Sequence, residues 1–118
     1  MALRVIERGS VVRVRLSPTE GRELAGTRPA LVVSATVINE KAEIMLVAPV
    51  TSKKVDRVYP FEVLLDHEAC GLELPSKAML NQMRAVSKGR ILGVYGIADA
   101  ETMDAVDKAI KVTLGLGV

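Results

Sequence analysis

The sequence predicts a mainly β fold with a C-terminal helix, arranged as a small antiparallel barrel. About five or six short segments are rich in apolar, β-branched residues and are separated by turn residues. In the final segment, apolar residues instead recur every three or four positions. A sheet of this size buries its apolar face best by closing on itself. Since 118 residues suffice for one core, we expect a single domain over residues 1–118.

The first strand is predicted at residues 11–16, where apolar and charged side chains alternate as they do in a half-buried strand. The apolar face holds Val12, Val14 and Leu16, and the polar face holds Arg13 and Arg15. Prolines, glycines and charges then predict a long loop over residues 17–29. Loops of this length in compact domains tend to carry function.

Further strands are predicted from apolar runs, at residues 30–34, 44–50, 59–65 and 78–86. Residues 38–41 are predicted to be a turn. Pro60 places its strand at an edge or a bulge, because proline cannot donate to a strand ladder. In the last of these strands, Met79 and Met83 alternate with polar neighbours.

An amphipathic helix is predicted at the C-terminus, with Asp99 as its N-cap and Gly115 as its end. One face of this helix carries Met103, Val106, Ile110 and Leu114. The pairs Asp104/Lys108 and Asp107/Lys111 have the spacing of ion pairs along a helix.

Composition favours self-association and a reducing compartment. The chain is 49% apolar, more than a domain this small easily hides, so we expect a homodimer. Cys70 is the only cysteine, which excludes an internal disulfide and suits the cytoplasm. We expect no membrane segment, because no apolar run approaches the length of a bilayer span. A net charge of only +2 means that any nucleic-acid site must be local.

The usual catalytic signatures are absent from the sequence. One histidine and one cysteine exclude a Cys/His zinc site, the carboxylates are scattered, and no phosphate-binding glycine loop is present. We therefore expect no metal and no cofactor. Without a metal-activated water, a phosphodiester substrate would have to be RNA, whose 2′-hydroxyl is an internal nucleophile.

Several motifs together resemble the MazF/PemK family of toxin endoribonucleases. Residues 8–34 match the opening of that family: a basic residue and Gly, an alternating strand, a Pro-containing turn, Gly-x-Glu, and Arg-Pro before an apolar strand. The similarity continues in order through VAPVTS at 47–52, YPFEV at 59–63, NQMRAV at 81–86 and the helix ending TLGL at 113–116.

The resemblance implies an SH3-like barrel of the CcdB/PemK-like toxin fold, a two-fold dimer, and cleavage of single-stranded RNA that leaves a 2′,3′-cyclic phosphate and a 5′-hydroxyl. It also implies a MazE-like antitoxin whose acidic and apolar tail covers the RNA groove. The RNA would be cut at specific sequences, and translation and growth would stop until the antitoxin neutralises the toxin.

Three catalytic residues are carried over from the family motifs. Arg28, of the Arg-Pro motif, would neutralise the phosphorane or act as the acid, and Thr51 would donate to a phosphate oxygen. Glu23, of the Gly-x-Glu loop, would act as a base for the 2′-hydroxyl in some members. Without the resemblance, the same residues would be an ordinary surface arginine, a turn threonine and a solvated loop carboxylate.

The remaining family positions imply contacts to RNA. The RNA-binding set is Thr27, Ser52, Lys53, Lys54, Arg57, Gln82 and Arg84. The charged members from 53 to 57 are equally compatible with a solvated loop. Two departures put base contacts in doubt: Leu24 stands where the family often has glutamine, and Asn81 where aspartate is common.

Two rival functions fit a small β-barrel but fit this sequence poorly. A gyrase-binding toxin of the CcdB type, which kills without catalysis, relies on a tryptophan-containing C-terminal end, and this chain has no tryptophan. A plain SH3-like interaction module needs an aromatic-lined groove, and only 3% of the residues are aromatic.

Overall fold

The computed structural model describes residues 5–16 and 26–117. Within these ranges seven strands, two α-helices and two 3₁₀ turns follow one another along the chain. The strands are β1 Ser10–Arg15, β2 Thr27–Val32, β3 Ile44–Thr51, β4 Glu62–Leu65, β5 Ser76–Met79, β6 Arg84–Ser87 and β7 Ile91–Ile97. The helices are α1 Thr36–Lys41 and α2 Ala100–Leu114, and the 3₁₀ turns are Leu80–Gln82 and Lys88–Arg90.

The strands pair in the order β4-β5-β3-β2-β1-β7, and every pairing among them is antiparallel. β6 pairs with the N-terminal half of β3, whereas β5 pairs with the C-terminal end of β3. Together with the C-terminal helix, this sheet confirms the predicted mainly β, antiparallel fold.

Apolar side chains form two core clusters, one on each face of β1. Val11 packs in the cluster that includes Val106 and Ala109 of α2. The cluster on the other face is built by β1, β2, β3 and β6. This second cluster contains Val12, Val14 and Leu16, which are fully buried, whereas Arg13 and Arg15 are exposed. The apolar and polar faces predicted for the first strand are therefore confirmed.

Helix α2 begins and ends where the sequence predicted. The Asp99 carboxylate accepts a hydrogen bond from the Thr102 backbone N–H at 2.8 Å, and Gly115 ends the helix in the left-handed region with φ 69°. The prediction that Leu114 shares the buried face of this helix is wrong, because Leu114 is 57% exposed. Asp107 pairs with Arg8 of the N-terminal segment at 2.7 Å.

Several elements differ from the sequence prediction, and β2 begins at Thr27, within the predicted loop over residues 17–29. Residues 38–41, expected to be a turn, belong to α1, which is held by the buried Asn39 amide: its Nδ2 donates to the Ile6 and Ser34 carbonyls at 2.8 and 3.1 Å. The strand predicted over residues 78–86 is two strands separated by the 3₁₀ turn Leu80–Gln82. This break lets the chain leave β4 and the C-terminal end of β3 and pair with the N-terminal half of β3.

β7 was not predicted at all. Glycines at 93 and 96 interrupt its apolar pattern, and its register against β1 shifts between Val11 and Val12 and again between Arg13 and Val14. An irregular strand of this kind has no clean period-two signal. Pro60, in turn, lies before β4 and not within a strand.

Candidate functional site

A groove of about 710 Å³ runs beside the start of β2 and the end of β3. One wall is formed by residues 27–29 and 50–53, and the other by residues 71–74, Ser76 and Tyr95. Five residues predicted from the family resemblance therefore line one groove: Thr27, Arg28, Thr51, Ser52 and Lys53.

Arg28 and Thr51 are brought together by the pairing of β2 with β3. Ala30 lies opposite Pro49 in this antiparallel ladder. Arg28 lies two residues before Ala30 on β2 and Thr51 two residues after Pro49 on β3, so both follow the same end of this ladder and line the groove. Both side chains are partly exposed at the groove. A guanidinium and a hydroxyl so placed can both donate to the oxygens of one phosphate.

The Thr51 hydroxyl is oriented by the loop that follows it. Its oxygen accepts a hydrogen bond from the Lys53 backbone N–H at 3.1 Å. Because the oxygen is the acceptor there, the hydroxyl hydrogen can be donated elsewhere. The local turn that the sequence suggested for Thr51 is thus present, and it aims the side chain instead of competing with a role in the groove.

The second wall of the groove depends on a close approach between Gly71 and β7. Gly71 has φ 76°, and a Cβ at this position would overlap the carbonyl oxygen of Tyr95. Only glycine permits both this backbone conformation and this contact. Glu73 and Tyr95 enter the groove from this wall. Sequence reasoning missed both residues; the aromatic and β-branched content of residues 91–97 was the available signal for β7.

A smaller depression of about 290 Å³ adjoins the same loop and is lined by Lys54, Asp56, Arg57, Tyr59 and Lys77. Lys54 adopts the left-handed conformation with φ 54°, and its carbonyl accepts from the Arg57 N–H at 3.2 Å. Two consecutive lysines therefore line different cavities: Lys53 lines the groove, and Lys54 lines the depression.

Gln82 and Arg84 line neither the groove nor the depression. Nη1 of Arg84 donates to the carbonyl of Leu16, at the end of β1, at 2.8 Å, and Nε2 of Gln82 lies 3.7 Å from the Met79 Sδ. Gln82 and Arg84 are thus the two described members of the RNA-binding set that line neither cavity. Glu23 and Leu24 lie outside the described residues.

Cys70 is packed in the turn that carries the second wall and is 1% exposed. Burial raises the pKa of its thiol, and the nearby carboxylates of Asp66 and Asp99 raise it further. Cys70 is thus a small packed side chain of the core.

Two absences are observed within the described part of the chain. In residues 5–16 and 26–117, no group of three or more His, Cys, Asp and Glu residues is placed to hold a metal ion. Nor do those residues include a helix with the length and apolar character that a membrane crossing requires.

Comparison with known proteins identifies the family. Residues 7–114 match the family model described as PemK-like, MazF-like toxin of type II toxin–antitoxin system. The chain is 36% identical to endoribonuclease MazF9 of Mycobacterium tuberculosis, covering 95% of this chain and 98% of that protein. It is 33% identical to endoribonuclease EndoA of Bacillus subtilis, covering 95% and 97%.

Solved structures agree with this match. The crystal structure of MazF from Deinococcus radiodurans superposes with a TM-score of 0.82 at 28% identity, covering 96% of this chain and 99% of that one. A MazE–MazF crystal structure from the same organism gives 0.75 at 28% identity, covering 97% and 99%. The CcdB alternative is not favoured, and the chain belongs to the PemK-like, MazF-like toxins of type II toxin–antitoxin systems.

Proposed function

We propose that this chain is the toxin of a type II toxin–antitoxin pair and acts as an endoribonuclease on single-stranded RNA. The observation that carries the proposal is that Arg28 and Thr51 line one groove in a chain whose relatives are named endoribonucleases. The whole of residues 1–118 would form one catalytic domain working in the cytoplasm, where messenger RNA is translated.

The chemistry follows from the substrate. The 2′-oxygen attacks the adjacent phosphorus, the bond from phosphorus to the 5′-oxygen breaks, and the products are a 2′,3′-cyclic phosphate and a 5′-hydroxyl. A base removes the 2′-hydroxyl proton, and an acid protonates the departing 5′-oxygen. Arg28 and Thr51 would donate to the non-bridging oxygens as negative charge builds on them. Glu23 is proposed as the base, and Arg28 is also the candidate for the acid.

The RNA backbone would follow the basic loop after β3. Thr27, Ser52 and Lys53 would contact RNA in the groove, and Lys54 and Arg57 would contact it in the adjoining depression. Phosphate contacts of this kind fix the position of a strand and make binding sensitive to salt. Gln82 and Arg84, away from both cavities, would contact RNA only as part of a dimer.

A second copy of the chain and an antitoxin are the proposed protein partners. β7 ends the strand order, and its Leu92, Val94 and Ile97 are each more than 40% exposed, so an apolar edge is available for a homodimer. The Deinococcus radiodurans relative was crystallised with MazE. We therefore propose a MazE-like antitoxin for this chain.

The test is cleavage of a long single-stranded RNA in excess EDTA, with both new ends mapped. We expect 2′,3′-cyclic phosphate and 5′-hydroxyl ends, no cleavage of DNA of the same sequence, and loss of cutting in Arg28→Ala. Lys108→Ala, which removes one exposed positive charge from α2, is the matched control and should cut normally. Equal cleavage of DNA, or activity that disappears with EDTA, would reject the mechanism. A chain that binds gyrase and cuts nothing would instead be the CcdB-type alternative.

A further inference from the structure

A buried ion pair lies beneath the basic loop that follows Thr51. Nζ of Lys77 is 2.9 Å from Oε1 of Glu62, and the two side chains are only 5% and 3% exposed. Lys77 on β5 pairs with Leu64 on β4, and Glu62 pairs with Met79. The two charged residues are therefore diagonal neighbours on one face of the β4–β5 pair.

The pair is bonded to the loop backbone as well as to itself. Nζ of Lys77 also donates to the Arg57 carbonyl at 2.7 Å, and Oε1 of Glu62 also accepts from the Tyr59 N–H at 3.0 Å. Each charged group thus holds one peptide group of residues 57–59. Arg57 is in turn bonded to the part of the loop nearer the groove, because its N–H donates to the Lys54 carbonyl at 3.2 Å.

The Lys77–Glu62 ion pair is not explained by its contribution to the free energy of folding alone. Removing two charges from water is costly, and a buried ion pair is often no more stabilising than apolar side chains of similar size. What apolar side chains could not supply here is the donor to the Arg57 carbonyl and the acceptor for the Tyr59 N–H. The exposed cations Lys54 and Arg57 flank these bonds, and a loop that binds phosphates is effective only if its charges are held in place.

We propose that the Lys77–Glu62 pair positions the basic loop for RNA: it holds residues 57–59 so that Lys54 and Arg57 bind phosphates next to those at Arg28 and Thr51. The inference rests on the proposed endoribonuclease function and assigns Lys77 and Glu62 a positioning role without contact to the RNA. The ladder supports it, because Lys77 is also the direct cross-strand partner of Thr51. One residue of β5 thus borders both the candidate catalytic residue and the loop.

The decisive variant is Glu62→Leu/Lys77→Met, which removes both charges together and leaves no unpaired buried ion. The matched control is Arg8→Met/Asp107→Leu, which removes the ion pair between the N-terminal segment and α2. Both variants keep the net charge. Steady-state cleavage of an RNA oligonucleotide that the wild-type protein cuts is measured over a series of NaCl concentrations, and urea unfolding reports stability.

We expect KM of the Glu62→Leu/Lys77→Met variant to rise about tenfold, the effect of losing roughly one charge-assisted hydrogen bond, while kcat changes less than about twofold. The slope of log KM against log salt should fall by about 0.7 for each phosphate that the loop no longer binds. A purely structural role would change neither KM nor the salt slope once the protein is folded. Wild-type values of both in the folded variant would overturn the proposal.

Two further arms keep the outcome clear. If the double variant does not fold, Glu62→Gln, which keeps the side-chain size and an acceptor oxygen, must show the same changes at smaller amplitude, and unchanged values again overturn the positioning role. If no RNA that the wild-type protein cuts can be found, the proposed function fails as well. If it cuts and the variant matches it in KM and salt slope, only the positioning role fails.

Discussion

Thr51 lies directly opposite Lys77 in the ladder between β3 and β5. The candidate catalytic hydroxyl and the buried ammonium group that holds the basic loop are therefore carried on paired backbone segments. A shift of β5 against β3 would therefore separate these two groups, and the pairing of the two strands opposes such a shift. The reacting phosphate and its neighbours along the RNA would then be bound by a single rigid unit of the sheet, which is how a scaffold keeps catalytic and binding groups in register.

Thr51→Val should lower kcat by about two orders of magnitude, the usual effect of losing a donor to the charged oxygens of a transition state. Valine keeps the β-branched shape that suits the end of β3, so the fold should persist. Thr51→Ser, which keeps the hydroxyl, should retain most activity. The measurement is steady-state cleavage of RNA, with circular dichroism to check folding. Wild-type kcat in the valine variant would remove Thr51 from the mechanism.

Arg84→Met should lower the free energy of unfolding by about 1 to 2 kcal/mol, because the Leu16 carbonyl loses a charge-assisted hydrogen bond. In the native protein this bond is 2.8 Å long and ties β6 to the end of β1. Urea unfolding measures the change, and Lys108→Met on the exposed face of α2 serves as control. An unchanged unfolding free energy with a raised KM would instead assign Arg84 to RNA binding, as the family motif implies.

Gly71→Ala should destabilise the protein by about 2 kcal/mol or more, since alanine is strained at this positive φ and its Cβ meets the Tyr95 carbonyl. The groove wall should be displaced as well, so KM for RNA should rise. Gly89→Ala is the matched control, because a Cβ there meets nothing within 4 Å. If thermal unfolding of the two variants is equal, the close contact between Gly71 and β7 does not exist.

Cys70 should make the protein less stable at alkaline pH. Burial and the neighbouring carboxylates raise the pKa of its thiol in the folded state, so the folded protein keeps a proton that the unfolded chain loses. This stabilisation is complete below the pKa of the unfolded thiol, about 8.5, and declines as pH rises from there through the folded-state pKa. Urea unfolding of wild type and Cys70→Ala under reducing conditions measures it. The difference between the two should shrink above about pH 8.5, and a constant difference up to about pH 10 would contradict the shift.

The elements predicted correctly are those that local sequence encodes. β1 and α2 have clean periods and, in Asp99 and Gly115, clear helix ends. α1 depends on hydrogen bonds from Asn39 to residues distant in sequence, and no local signal announces them. β7 contains two glycines and register shifts, so its strand pattern is broken.

The residues of the candidate site likewise fall into those that the sequence predicts and those that only the structure shows. Arg28 and Thr51 were found through short motifs, and the pairing of β2 with β3 then explains why both residues line one groove. Glu73 and Tyr95 reach the groove only because the segment around Gly71 crosses β7. Lys77 carries no local sign of burial, since an isolated lysine in a strand is more often exposed. Its role emerges only once β4, β5 and the basic loop are assembled.

The pairing of β1 with β7 sets the order in which the molecule is completed during translation. Ser10 and Val11 pair with Ile97 and Gly96, so β1 cannot complete this pairing until β7 has been translated. Tyr95 arrives on that same late strand, and until then the groove lacks part of a wall. Contacts between distant parts of a chain also form slowly. For a protein that we propose cuts messenger RNA, β7 must therefore be translated before the groove is complete, and this delay comes from strand order alone.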